Sequence, residues 1–95
     1  MRTLEARFHP LDRETATFVV VGRLVWDEGA YDRPPRIEPS KSLARQTAPA
    51  TILATVRHLA VMTSPRSFER LLALRSRFWS FVEVRAPSQP ATEVA

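Results

Sequence analysis

The sequence predicts an α+β domain: a small antiparallel sheet of two or three strands with two helices packed on one face. Arg2–Phe8 alternates, with Leu4, Ala6 and Phe8 on one side and Thr3, Glu5 and Arg7 on the other. That is the period of a half-buried strand. Thr17–Trp26 is dense in β-branched and aromatic residues and gives the strongest strand signal. Two later stretches, Thr47–Met62 and the run opening at Ser64, repeat apolar residues at helical spacing.

In chain order, the first two strands join through the polar, proline-bearing segment His9–Glu14 and predict an antiparallel hairpin. The second strand has an unusual pattern. Strict alternation puts Phe18, Val20, Leu24 and Trp26 on one face with Gly22, and Val19, Val21 and Val25 on the other with Thr17 and Arg23. A strand with one wet face shows polar residues at alternate positions, and this one does not. Gly22 marks a candidate bulge or close backbone approach. Asp27–Ser40 reads as a loop, because Pro34, Pro35 and Pro39 forbid a helix and favour extended backbone. Leu43-Ala44-Arg45 fits a short helical turn.

Thr47 is the expected N-cap of the first helix, with Pro49 in its first turn. Ile52, Val56, Leu59 and Ala60 share a face, although Thr51, Ile52, Thr55 and Val56 also suit a strand. The second helix is expected to start with Ser64 as N-cap and Pro65 at its first position. Phe68, Leu71, Leu72, Arg75, Phe78, Trp79 and Val82 then form one stripe, with Arg66, Arg70 and Arg77 opposite. Arg75, inside the apolar stripe, is expected to snorkel, stack on Trp79 or meet a carboxylate. Trp79–Arg85 either prolongs this helix or forms a third strand on the hairpin, and its β-branched and aromatic density favours the strand. Residues 1–85 are expected to form one domain and 86–95 a flexible tail.

Ninety-five residues with 44% apolar content suit a single domain with a real core. The chain has no cysteine, which excludes disulfides, thiolate zinc sites and a thiol nucleophile. The amino terminus lacks the apolar segment of a secretory signal. The run Ala48–Met62, interrupted by Arg57 and His58, is shorter than the ~20 residues a membrane span needs. A soluble, cytoplasmic protein without a membrane partner is therefore expected. The net charge of +4 invites a nucleic-acid reading. Lys41 is the only lysine, however, and arginine in place of lysine with abundant alanine also fits a GC-rich bacterial genome.

Catalytic and metal signatures are sparse. His9 and His58 have no ligand-spaced companions. Asp27, Glu28 and Asp32 lack the offsets of a cation loop and read as solvated. Two glycines cannot build a phosphate cradle, and no Gly-x-Ser-x-Gly elbow occurs. No enzyme activity and no cofactor are expected. The Arg66, Arg70, Arg77 stripe suits phosphates or an acidic surface, but any core-facing helix needs such a polar side. Arg33-Pro34-Pro35-Arg36 reads as a stiff loop rather than a docking motif.

The strand that is apolar on both faces therefore leads to a non-catalytic protein that pairs with itself, as a dimer or higher, or enters a larger complex. The expected contact residues are Val19, Val21, Val25 and Trp26, with Arg70 and Arg77 as rim charges. The alternative is a nucleic-acid-binding module using Arg66, Arg70 and Arg77.

Overall fold

The computed structural model describes residues 1–85, so the expected tail at 86–95 lies outside the described residues. Strands β1 (Arg2–Phe8) and β2 (Val19–Trp26) form the expected antiparallel hairpin, with Arg2 opposite Trp26 and Phe8 opposite Val19. β3 (Arg36–Pro39) pairs with β2, and β4 (Trp79–Val84) pairs with β1. The result is an α+β fold with a four-stranded antiparallel sheet in the order β3-β2-β1-β4, one strand more than expected. The helices are α1 (Pro49–Met62) and α2 (Ser67–Leu72), and a 3-10 turn at Lys41–Arg45 falls where the sequence suggests a helical turn.

The alternation of β2 is reset by a bulge. Ala6 lies opposite Gly22, but Arg7 lies opposite Val20, so Val21 is an extra residue on its strand. The bulge brings Val21 into the same core as Leu24 and Trp26. Simple alternation had placed Val21 on the opposite face with Val25, and the bulge overturns that. Gly22 also admits the third strand. A Cβ at this position would lie 2.5 Å from the Glu38 carbonyl oxygen and 3.0 Å from the Pro39 Cα. The close approach is met at Gly22, and the bulge lies beside it at Val21.

β3 falls in the segment the prolines mark as loop. Pro39 ends the strand at the rim of the sheet, where a missing N–H is tolerated. Ser40 then turns the chain. Its N–H donates to the Val21 carbonyl at 2.9 Å, its hydroxyl donates to the Val20 carbonyl, and its oxygen accepts from the Leu43 N–H at 3.3 Å.

The second helix is much shorter than its apolar stripe predicts, ending at Leu72. The backbone beyond it is held by the β1–β2 connection. The Arg13 guanidinium donates to the Leu74 and Ser76 carbonyls at 3.3 and 3.4 Å. The Arg13 N–H takes the Arg77 carbonyl and the His9 N–H takes the Phe78 carbonyl, each at 2.7 Å. Carbonyls engaged this way cannot continue a helix. Arg75 is consequently exposed in a connection rather than enclosed among aromatic rings. The expected caps also move by a residue or two: Ala48 rather than Thr47 precedes α1, and Arg66 rather than Ser64 precedes α2.

One face of the sheet and the two helices share a single core. Leu4, Ala6, Val21, Leu24, Trp26 and Phe81 meet Val56, Ala60, Phe68 and Leu71. Trp26 packs edge-on against Phe68 with centroids 5.1 Å apart, and its indole N–H donates to Ser67 Oγ at 3.0 Å. The other face carries charges of alternating sign. Arg23 lies opposite Glu5 on one side and Glu38 on the other, and Arg7 pairs with Glu5 at 2.7 Å. On that same face Val25 lies opposite Thr3. The second face therefore combines these charges with Val25, Val82 and Val84, which lie opposite or beside Glu5 and Thr3.

Candidate functional site

The residues expected to form an interface are scattered by the fold. Val21 and Trp26 are 0% and 1% exposed, within the molecule's own core. Val25 is only 4% exposed, and Val19 is half-buried opposite Phe8. β2 is flanked by β1 along its length and by β3 over Gly22–Val25. The arginine stripe does not survive either. Arg70 is exposed on α2, Arg66 stands just before that helix with φ of 63°, and Arg77 lies past its end, bonded to Asp12 at 3.1 Å.

What the fold does present is two sheet edges of opposite character. β3 has four residues, ends in Pro39, and carries Arg36 and Glu38, with Arg36 3.6 Å from Asp27. Shortness, charge and proline are the features that discourage edge pairing. β4 has six residues, Trp-Ser-Phe-Val-Glu-Val, with no proline, glycine or lysine. Among the described residues it pairs only with β1. The His9 N–H meets the Phe78 carbonyl. Antiparallel alternation then turns the backbone groups of Ser80, Val82 and Val84 toward β1 and those of Trp79, Phe81 and Glu83 outward.

Exposed apolar side chains border this free row of donors and acceptors. Phe78 and Val82 are each 37% exposed, and Leu72 is exposed at the end of α2, which packs against β4. The strand itself is firmly seated. Phe8 and Trp79 have centroids 5.1 Å apart, and Trp79 stacks with Phe81 at 6.4 Å. The Arg2 guanidinium grips Glu83 through two contacts of 3.0 and 3.1 Å while lying 4.0 Å from the Phe68 ring centre. That hydrogen bond holds the Glu83 carboxyl below its ordinary pKa. The sequence identifies β4 as a strand, but it does not reveal that β4 is the outermost one, because β3 is hidden among prolines.

Among the described residues, His9 is the one buried titratable group at this end of the sheet. Its Nε2 lies 2.7 Å from Ser80 Oγ, and its Nδ1 has no hydrogen-bond partner. Burial, then the charges of Arg13 and Arg7, lower its pKa. A serine–histidine couple used for nucleophilic chemistry needs a third group to orient the imidazole, and no carboxylate is bonded to Nδ1. Asp27 follows Trp26, the partner of Arg2, at the end of the hairpin far from His9, and His58 is exposed on α1. An open hollow of about 510 Å³ is lined by Asp12, Arg13, Glu14, Arg75, Ser76 and Arg77, a mixed set of charges already partly paired. Among the described residues, no cluster of His, Asp and Glu suits a metal ion, and no helix is long and apolar enough to cross a membrane.

Among the described residues, the chain forms a small α+β domain in which no strand covers the outer edge of β4. No protein-family model matches the chain, and no match emerges among curated proteins or solved structures.

Proposed function

We propose that this chain is a non-catalytic interaction protein that binds a protein partner by strand addition to β4. The observation that carries the reading is the contrast between the two edges. β3 is short, ends in proline and carries two charged residues in four, whereas β4 is longer, has no proline, carries one charge, Glu83, already paired with Arg2, and is bordered by Phe78 and Val82. In strand addition the backbone row supplies affinity and the alternating side chains supply selectivity. The contact surface thus moves from the valines of β2 to the outer strand.

The test compares two substitutions at one residue. Glu83→Pro removes an outward N–H, whereas Glu83→Ala removes the Arg2 ion pair and keeps the N–H. The native complex is isolated from its cell and weighed with each variant. A mass above one chain that survives Glu83→Ala and collapses with Glu83→Pro supports edge binding. Equal behaviour of the two variants refutes it.

A further inference from the structure

Resting on the edge reading above, we infer that the strand added to β4 is β4 of a second copy, antiparallel, with Phe81 of both copies on the twofold axis. A twofold contact is isologous, so a strand used this way must complement itself. Only outward-facing residues can exchange backbone hydrogen bonds across the new seam, so Trp79, Phe81 and Glu83 must meet one another. That leaves few registers. With Phe81 on the axis, Phe81 pairs with its own copy, and Trp79 pairs with the second copy's Glu83. Each such pair exchanges two backbone hydrogen bonds. Ser80 then falls opposite the second copy's Val82, and Phe78 opposite its Val84. The exposed Phe78 and Val82 are each covered twice by symmetry.

Charge decides against one neighbouring register and the backbone against the other. With Phe81 central, Glu83 has Trp79 of the second copy opposite it and Phe81 of that copy on a diagonal, so within the strand it meets no like charge. Moving the axis to Val82 puts Glu83 diagonal to its own copy, a like-charge contact that is destabilising at this range. Moving it to Ser80 requires Arg77 to pair as strand, yet the backbone bends at Arg77 and Phe78 and the Arg77 carbonyl is held by Arg13. The Phe81-centred register alone uses the strand as folded and avoids repulsion between carboxylates.

The chain has no cysteine, so engineered thiols report cleanly. In the Phe81 register, residue 80 of one copy and residue 82 of the other form a non-hydrogen-bonded pair, with Cα atoms ~4.5 Å apart. That lies within disulfide reach. Purified Ser80→Cys and Val82→Cys proteins, each checked for the parent's circular dichroism, are oxidised separately and as an equimolar mixture. The expected result is a disulfide-linked dimer in the mixture only, with the unmodified protein approaching twice the mass of one chain in light scattering as concentration rises. Cross-linking of Val82→Cys alone places Val82 on the axis, and of Ser80→Cys alone places Ser80 there. Either overturns the register. A strict monomer at millimolar concentration overturns the second-copy partner altogether. Collapse of the native complex with Glu83→Pro would still stand in that case, with a different protein as the added strand.

Discussion

Gly22 and the Glu38 carbonyl are in such close apposition that a methyl group on residue 22 would sit 2.5 Å from the oxygen. The atom in the way is backbone, so no side-chain rotation relieves the clash. Gly22→Ala must push β3 away from β2 or distort the bulge beside it. A cost of about 1–3 kcal/mol is expected, in the range of overpacking. Urea unfolding measures it. Faster amide exchange at Ile37 and Glu38 would localise the damage to β3. A variant as stable as the parent would mean that the two strands separate at little cost.

Trp26 belongs to the stability of the molecule, not to its surface. Its ring packs on Phe68 and its N–H is bound to Ser67 Oγ, with both residues buried. Ser67→Ala leaves that N–H without its acceptor in the core, at a cost of about 1–3 kcal/mol. Trp26→Phe with Ser67→Ala removes donor and acceptor together, so the serine change costs less in that background. The double-mutant cycle in urea isolates the bond. Neither single change is expected to alter the mass measured by light scattering among folded molecules. A specific loss of association with Trp26→Phe at unchanged stability would return β2 to the interface.

The hairpin was legible because alternation in β1 is a local signal that the fold leaves intact. β4 was legible for the same reason, as its β-branched and aromatic density outweighed the helical stripe leading into it. The rest depended on contacts between distant residues. Nothing local says that Val21 is a bulge residue, since the register shift exists only relative to Ala6 and Arg7. β3 was masked because proline usually opposes a strand, and only its place at the rim makes Pro39 acceptable. The second helix was overextended because its stripe continues through Phe78, while the groups that stop it come from His9 and Arg13, far back in the chain. The valines of β2 illustrate the same point: the register shift turns Val21 into the molecule's own core, a placement that alternation along one strand does not show.

Arg13 is the testable agent of that helix stop. Its guanidinium holds the carbonyls of Leu74 and Ser76. Arg13→Met keeps the aliphatic stem and removes the donors. The two contacts are long, so a modest loss of about 0.5–1.5 kcal/mol is expected. Amide exchange should quicken between Leu74 and Phe78 while Leu4 and Leu24 stay protected. Uniform quickening across the sheet would show instead that Arg13 supports the whole fold rather than this connection.

His9 gives the fold a pH dependence whose sign is fixed by its surroundings. The imidazole is buried and faces Arg7 and Arg13, and only Asp12 favours its charged form. Its folded pKa therefore lies below the ordinary 6.5. As pH falls through that value the unfolded chain takes up the proton first, so the folded state loses stability. The loss begins near 6.5 and continues downward until the folded imidazole also protonates. Two carboxylates act in a separate window. Asp12 is lowered by the Glu14 N–H and then by Arg77, and Glu83 by its hydrogen bond to Arg2. Their stabilisation is present above the ordinary carboxylate range and disappears only as pH falls through about 4 and below. Urea midpoints between pH 7.5 and 5 should accordingly decline for the parent chain and stay nearly level for His9→Gln. Parallel slopes in the two proteins would assign the dependence to another group. A parent chain that grew more stable toward pH 5 would show that the imidazole is stabilised in its charged form, against the burial and the two arginines that surround it.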